Sequence, residues 1–200
     1  MYKNESNTWR QIGSDIDGDG NTYYFGISVS LSENGNRDNG WASGHVLVFE
    51  NKSDVWTQIG NNIIEERDND QSGITLSLSG DGTILAVGAY LNNGNGTDSG
   101  HVRFYQNISG TWTKIGDDID GENSHDGSGY SVSISSNGNI VAIGAPLNDA
   151  RGENSGHVRV YDLSETTLAA TSFGQDLFSY YPNPVSNELI LNLTSGSELK

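Results

Sequence analysis

The chain has no cysteine among its 200 residues. Disulfides, thiolate metal sites and cysteine catalysis are therefore excluded. Only three prolines and one methionine occur, and bases are scarce: 10 against 26 acids, a formal charge of −16. A chain this acidic is repelled by phosphate backbones and anionic bilayers, so neither nucleic acid nor a membrane surface is an expected partner. No apolar run approaches the ~18 residues of a transmembrane helix, so membrane insertion is not expected. The opening MYKNESNTW lacks the apolar centre of a signal peptide. Hydrophobic residues make up only 34%, with no long helical stripe. Glycine, by contrast, is plentiful at 26 residues, which suits a turn-rich all-β protein.

One pattern organises the rest. Residues 112–161 read WTKIG, an acidic glycine-rich loop, GYSVSIS, a turn, NIVAIGAPL, a second loop and GHVRVY. The pattern recurs 56 residues earlier over 56–105, and in shortened form from Trp9 to Phe49. Asp81-Gly82 and Asn137-Gly138 are hairpin turn signals at one position of the repeat. Gly13 to Gly60 is 47 residues and Gly60 to Gly116 is 56, so the first unit is nine residues short. The shortfall falls after Gly35, where the third unit has its most apolar strand, and NRDNGWASG reads as a loop. A three-stranded first unit is expected, followed by two four-stranded ones.

The strands TILAVGAY and NIVAIGAP are apolar on both faces, as when a sheet lies between two neighbours. The serines of SVSLS, TLSLS and SVSIS suit a tight sheet-to-sheet approach. Four-stranded units at a fixed period predict a partial β-propeller, an open arc of about three blades, with a β-sandwich or elongated β-array as the alternative. Open edges of such an arc invite self-association.

The units resemble FG-GAP repeats, the blades of integrin-type propellers. Phe25-Gly26 matches the FG signature, where later units have Ser72-Gly73 and Ser128-Gly129; Gly144-Ala145-Pro146 matches GAP, where the second unit has Gly88-Ala89-Tyr90. The resemblance covers residues 8–163, in units 8–49, 55–105 and 111–161. Beyond it, 164–175 has the small, polar composition of a linker. The following YPNPVSNELIL, with Tyr181, Pro182, Asn183 and Pro184, resembles the opening of the type A C-terminal sorting domain of the type IX secretion system of Bacteroidota. That resemblance assigns 176–200 to a truncated sorting domain. It implies handling by the type IX secretion machinery and a secreted or cell-surface parent protein.

Three sets of residues invite chemistry. His45, His101 and His157 share one repeat position, GHV; one histidine per sheet does not converge on one ion, so they read as structural, and His125 as a solvated loop residue. Asp15, Asp17 and Asp19 precede Gly20 in the D-x-D-x-D-G pattern that begins a calcium loop. Asp118, Asp120 and Glu122 are their counterparts in the third unit. Weak calcium binding is expected at the first place, where position 12 of such a loop is Gly26 in place of a bidentate glutamate, with the partial set of the third unit as a second candidate and a solvated acidic turn as the alternative. Trp9, Trp56 and Trp112 recur and read as blade-packing residues; Trp41 stands alone in its loop. No G-x-S-x-G elbow or phosphate loop occurs. The function expected is a non-catalytic binding or adhesion module for an extracellular protein or glycan. The alternative is a fragment of a secreted, polysaccharide-active enzyme whose catalytic residues lie elsewhere.

Overall fold

In a computed structural model, residues 2–17, 25–32, 37–42, 45–64 and 69–164 are described. The linker, the YPNP motif and Asp19 lie outside them. The described residues are all strand, turn and loop, in fourteen strands: β1 (Tyr2–Glu5), β2 (Thr8–Gln11), β3 (Val29–Leu31), β4 (Arg37–Ala42), β5 (His45–Lys52), β6 (Val55–Gln58), β7 (Ile63–Ile64), β8 (Thr75–Leu78), β9 (Ile84–Ala89), β10 (His101–Ile108), β11 (Thr111–Asp120), β12 (Ser131–Ile134), β13 (Ile140–Ala145) and β14 (His157–Asp162). They form antiparallel sheets β1-β2, β3-β4-β5-β6 with β7 also on β5, β8-β9-β10-β11, and β12-β13-β14.

Two expectations are corrected. First, the sheets do not coincide with the sequence units: each W-T-x-I-G strand pairs backwards onto the GHV strand before it, as β6 on β5 and β11 on β10. The third sheet therefore has three strands among the described residues. Second, the first sheet lacks no position. Residues 37–42 form β4, which pairs with both β3 and β5, and Trp41 lies on it opposite Val46. Flanked by two strands, this polar segment satisfies its backbone groups in the ladder despite poor intrinsic preference.

A two-residue hairpin recurs in three sheets, between β1 and β2, β5 and β6, and β10 and β11. Ser6-Asn7, Ser53-Asp54 and Ser109-Gly110 all have positive φ at both positions, the type I′ geometry that matches strand twist. In each, an asparagine two residues before the turn caps it: Asn4, Asn51 and Asn107 accept the N–H of Asn7, Asp54 and Gly110 at 3.0–3.2 Å.

Adjacent sheets pack through two apolar clusters. Val46, Val48 and Ile63 of the first sheet meet Leu76, Leu78, Leu85 and Val87 of the second. Val102, Phe104 and Ile119 of the second then meet Ile134, Val141 and Ile143 of the third. Burial of each such side chain contributes about 1.5–3 kcal/mol. Serines let the inner strands close up: Leu78 donates its N–H to Ser30 Oγ, and Ile134 donates to Ser77 Oγ, each at 2.9 Å. Trp112 locks the outer edge. It is 3% exposed, and its Nε1 donates to the Ile59 carbonyl at 3.1 Å. Gly60, at φ +76, leaves room for it; a Cβ there would lie 2.7 Å from Trp112 Cδ1. Trp56 meets Gly13 in the same way, while Trp9 is 67% exposed.

Candidate functional site

At one end of the second and third sheets, the strand starts line up a row of charges. His101 and Arg103 alternate along β10, and so lie on one face. The register of β11 on β10 shifts between Val102 and Phe104, and the resulting bulge holds Gly116 to Asp118 opposite Arg103. Arg103 forks Asp118, with Nε to Oδ1 at 2.9 Å and Nη2 to Oδ2 at 2.7 Å. Lys114 Nζ reaches Asp118 Oδ1 at 2.5 Å, and His101 Nδ1 stands 3.7 Å from Oδ2. Burial pushes the Asp118 carboxyl up, but hydrogen bonds from Arg103 and Lys114, with the Arg103 and His101 charges, hold it down at about 2.

The row continues across the gap between sheets. Arg159 Nη2 donates to the Asp120 carbonyl at 2.7 Å, and its Nη1 lies 3.6 Å from Glu122. His157 Nδ1 lies 3.8 Å from the same carboxylate. Burial lowers the His157 pKa, and neighbouring Arg159 adds to this against the pull of Glu122. The Asp120 carboxyl is raised by burial and by the charge of Asp118.

The structure thus gives Asp118, Asp120 and Glu122 a different role from the calcium set expected of them. Both oxygens of Asp118 already face cations, and Glu122 faces the third sheet. Among the described residues no group of three or more His, Asp or Glu is arranged to hold a metal. Asp15 and Asp17 are exposed, and Asp15 Oδ1 accepts Gln11 Nε2 at 2.6 Å. His101 and His157 begin their strands as expected; His125 is exposed, 3.5 Å from Asp98.

Sequence reasoning missed the loop scaffold above this row. Asn92 Nδ2 donates to Asp70 Oδ2 at 2.5 Å, and Asn148 Nδ2 to Asp126 Oδ2 at 2.9 Å, all four side chains buried. The 56-residue spacing of both the aspartates and the asparagines was the available signal. These pairs fix loops that bring Tyr90 and Tyr130 together edge to face, with centroids 5.2 Å apart and planes at 80°. Tyr130 is exposed, and Pro146 stands across Gly127 from Tyr90.

Residues 119–161 match the FG-GAP repeat family. No curated protein matches the chain. Among solved structures, a 6-phosphogluconolactonase candidate from Bacteroides fragilis NCTC 9343 aligns at 18% identity and TM-score 0.50, covering 72% of this chain and 36% of that one. A second from Bacteroides uniformis ATCC 8492 aligns at 20% identity and TM-score 0.50, covering 74% and 38%. The chain spans less than two fifths of either neighbour's length, and at such identities the likeness concerns fold alone. The FG-GAP likeness thus rests on residues 119–161, and the described residues have the all-β architecture of a partial propeller.

Proposed function

We propose that the chain is a non-catalytic binding or adhesion module of a secreted or cell-surface protein, and that it contacts an extracellular glycan or protein through the loop end around Tyr90 and Tyr130. The observation that carries this reading is the edge-to-face tyrosine pair, with Tyr130 exposed and Tyr90 half-buried, held by buried Asp-Asn pairs on a rigid repeat scaffold. A preorganised aromatic pair with hydroxyl groups offers flat apolar area and polar tips at low ordering cost. The FG-GAP match over 119–161 agrees with a repeat module, and the sorting-domain resemblance of 176–200 supports export.

The experiment is a glycan and matrix-protein binding screen on the whole chain, repeated with Tyr130→Ala. Binding to at least one class is expected, weakened about tenfold or more by the substitution, as for a central aromatic contact. Turnover of a polysaccharide with no binding on either screen would overturn the proposal and favour the enzyme reading.

A further inference from the structure

Groups that are buried between the sheets reappear exposed at the two ends of the arc. Val102 is 0% exposed, whereas its counterpart Val158 on the third sheet is 63% exposed. Leu78 is 5% exposed, whereas its counterpart Leu31 on the first sheet is 53% exposed, and Val29 is open as well. Ser30 and Ser77 each accept an N–H from the next sheet; Ser133, the third of the series, is exposed. The trailing face of the third sheet and the leading face of the first are therefore the two halves of one further boundary of the kind already formed twice.

The outer edge shows the same complementarity. Among the described residues β14 pairs with β13 alone, whereas β10 lies between β9 and β11. The strand that covers β10 reads TWTKIGDDID, and residues 8–17 read TWRQIGSDID. Of these, only Thr8–Gln11 is in a strand; residues 12–17 pair with nothing among the described residues. The register is observed twice: His101↔Asp120 with Val102↔Ile119, and His45↔Ile64 with Val46↔Ile63. Carried by the repeat onto β14, it sets Asp17 opposite His157 and Ile16 opposite Val158. Gln11 and Arg10 then pass from Tyr2 and Lys3 to Tyr161 and Asp162. Asp15 is the counterpart of Asp118, whose partner Arg103 is the counterpart of Arg159. Arg159 Nε and His157 Nε2 are buried without a hydrogen-bond partner among the described residues. Two of these pairings set a carboxylate against a cation, Asp15 with Arg159 and Asp162 with Arg10, and the third sets Asp17 against the His157 imidazole.

We propose that the outer edge of β14 takes residues 12–17 of a second copy of this chain, whose Asp15 forks Arg159 and whose Val29 and Leu31 cover Val158. Ser133 then accepts the N–H of the second copy's Leu31. The occupant is a second copy because residues 12–17 carry the sequence and the carboxylates that match the β14 edge, and the three described sheets that pack face to face are too few to close on themselves. Reciprocal insertion by two copies brings six sheets, and the head-to-tail contact closes on itself.

The test uses the whole chain, whose lack of cysteine makes an engineered pair unambiguous. Light scattering should give twice the chain mass, and Ile16→Cys with Val158→Cys should give a disulfide between two chains on oxidation. Asp15→Arg or Arg159→Asp alone should yield monomer at the same concentration, with an unchanged far-ultraviolet spectrum. The double exchange Asp15→Arg with Arg159→Asp should restore the pair. A monomeric wild type, a disulfide formed within one chain, or a ladder of larger species would each overturn the proposal. So would a pair indifferent to both charge reversals.

Discussion

Replacing Asp118 by asparagine keeps the shape of the side chain and removes its charge from the fork with Arg103. Arg103 is buried, and both of its bonds to Asp118 are under 3 Å. The Asp118 pKa falls from 3.8 to about 2 on folding, a displacement of about 2 units or ~2.5 kcal/mol. Asp118 keeps some access to water, so the loss for Asp118→Asn is placed at roughly 1.5–2.5 kcal/mol near neutral pH. The sign follows from the depressed value. The contribution is complete above the unfolded pKa of 3.8 and disappears as pH falls through about 2. Urea unfolding of wild type and variant at pH 6, 4, 3 and 2 should therefore show a gap that closes on acidification. Wild type should lose stability faster than Asp118→Asn over the lower part of that range. A gap under about 0.5 kcal/mol at pH 6, or one that stays constant down to pH 2, would refute the view that the charged fork stabilises the second sheet. Removing both partners, as Asp118→Asn with Arg103→Met, should cost less than leaving Arg103 buried alone.

Gly60→Ala meets both a positive φ and Trp112 Cδ1 at 2.7 Å, whereas Gly110→Ala meets the φ alone with nothing within 4 Å. Thermal unfolding should show a loss of about 2–3 kcal/mol for the first and about 1 kcal/mol for the second; equal losses would remove the tryptophan contact from the account. His157, whose pKa is lowered in the folded state, destabilises the fold as pH falls below the unfolded value of 6.5. His157→Phe should accordingly flatten the stability decline between pH 7 and 5, and an unchanged slope in the variant would contradict the buried, neutral imidazole. Weak calcium binding by Asp15, Asp17 and Asp19 would call on the carboxylates proposed to enter the β14 edge. Millimolar calcium should then shift paired chains towards monomer in light scattering, and Asp17→Ala with Asp19→Ala should abolish that shift; a mass unaffected by calcium would sink the idea.

What the sequence disclosed depended on how far apart the interacting groups lie along it. Turns at Asp81-Gly82 and Asn137-Gly138, and the alternation in strands such as TLSL, are local signals and appear where expected. The phase of the repeat is different. A period fixes the spacing of strands but not which strand begins a sheet, and W-T-x-I-G pairs backwards, so units and sheets are offset by one strand. The clue was present in YKNESNTW, which parallels FENKSDVW and forms the same hairpin. Residues 37–42 gave no such clue: Asp38, Asn39 and Gly40 are poor strand formers, and only the neighbours on either side make the segment a strand. The carboxylates at 118, 120 and 122 show the same limit at the site. Alternation puts successive carboxylates on one face, a pattern that suits a cation in a loop and equally suits basic side chains on an adjoining strand. Choosing between them requires knowing that Arg103, fifteen residues earlier, lies across from Asp118, and that Arg159, thirty-seven residues after Glu122, lies 3.6 Å from its carboxylate. The H-x-R pattern of β10 and β14 records these cations at a spacing of 56, and unit one, with Leu47 in that place, keeps the histidine without the arginine. Acidic alternation on the outer strand and basic alternation on the strand before it are therefore two halves of one structural device, and the unmatched halves lie at residues 12–17 and on β14.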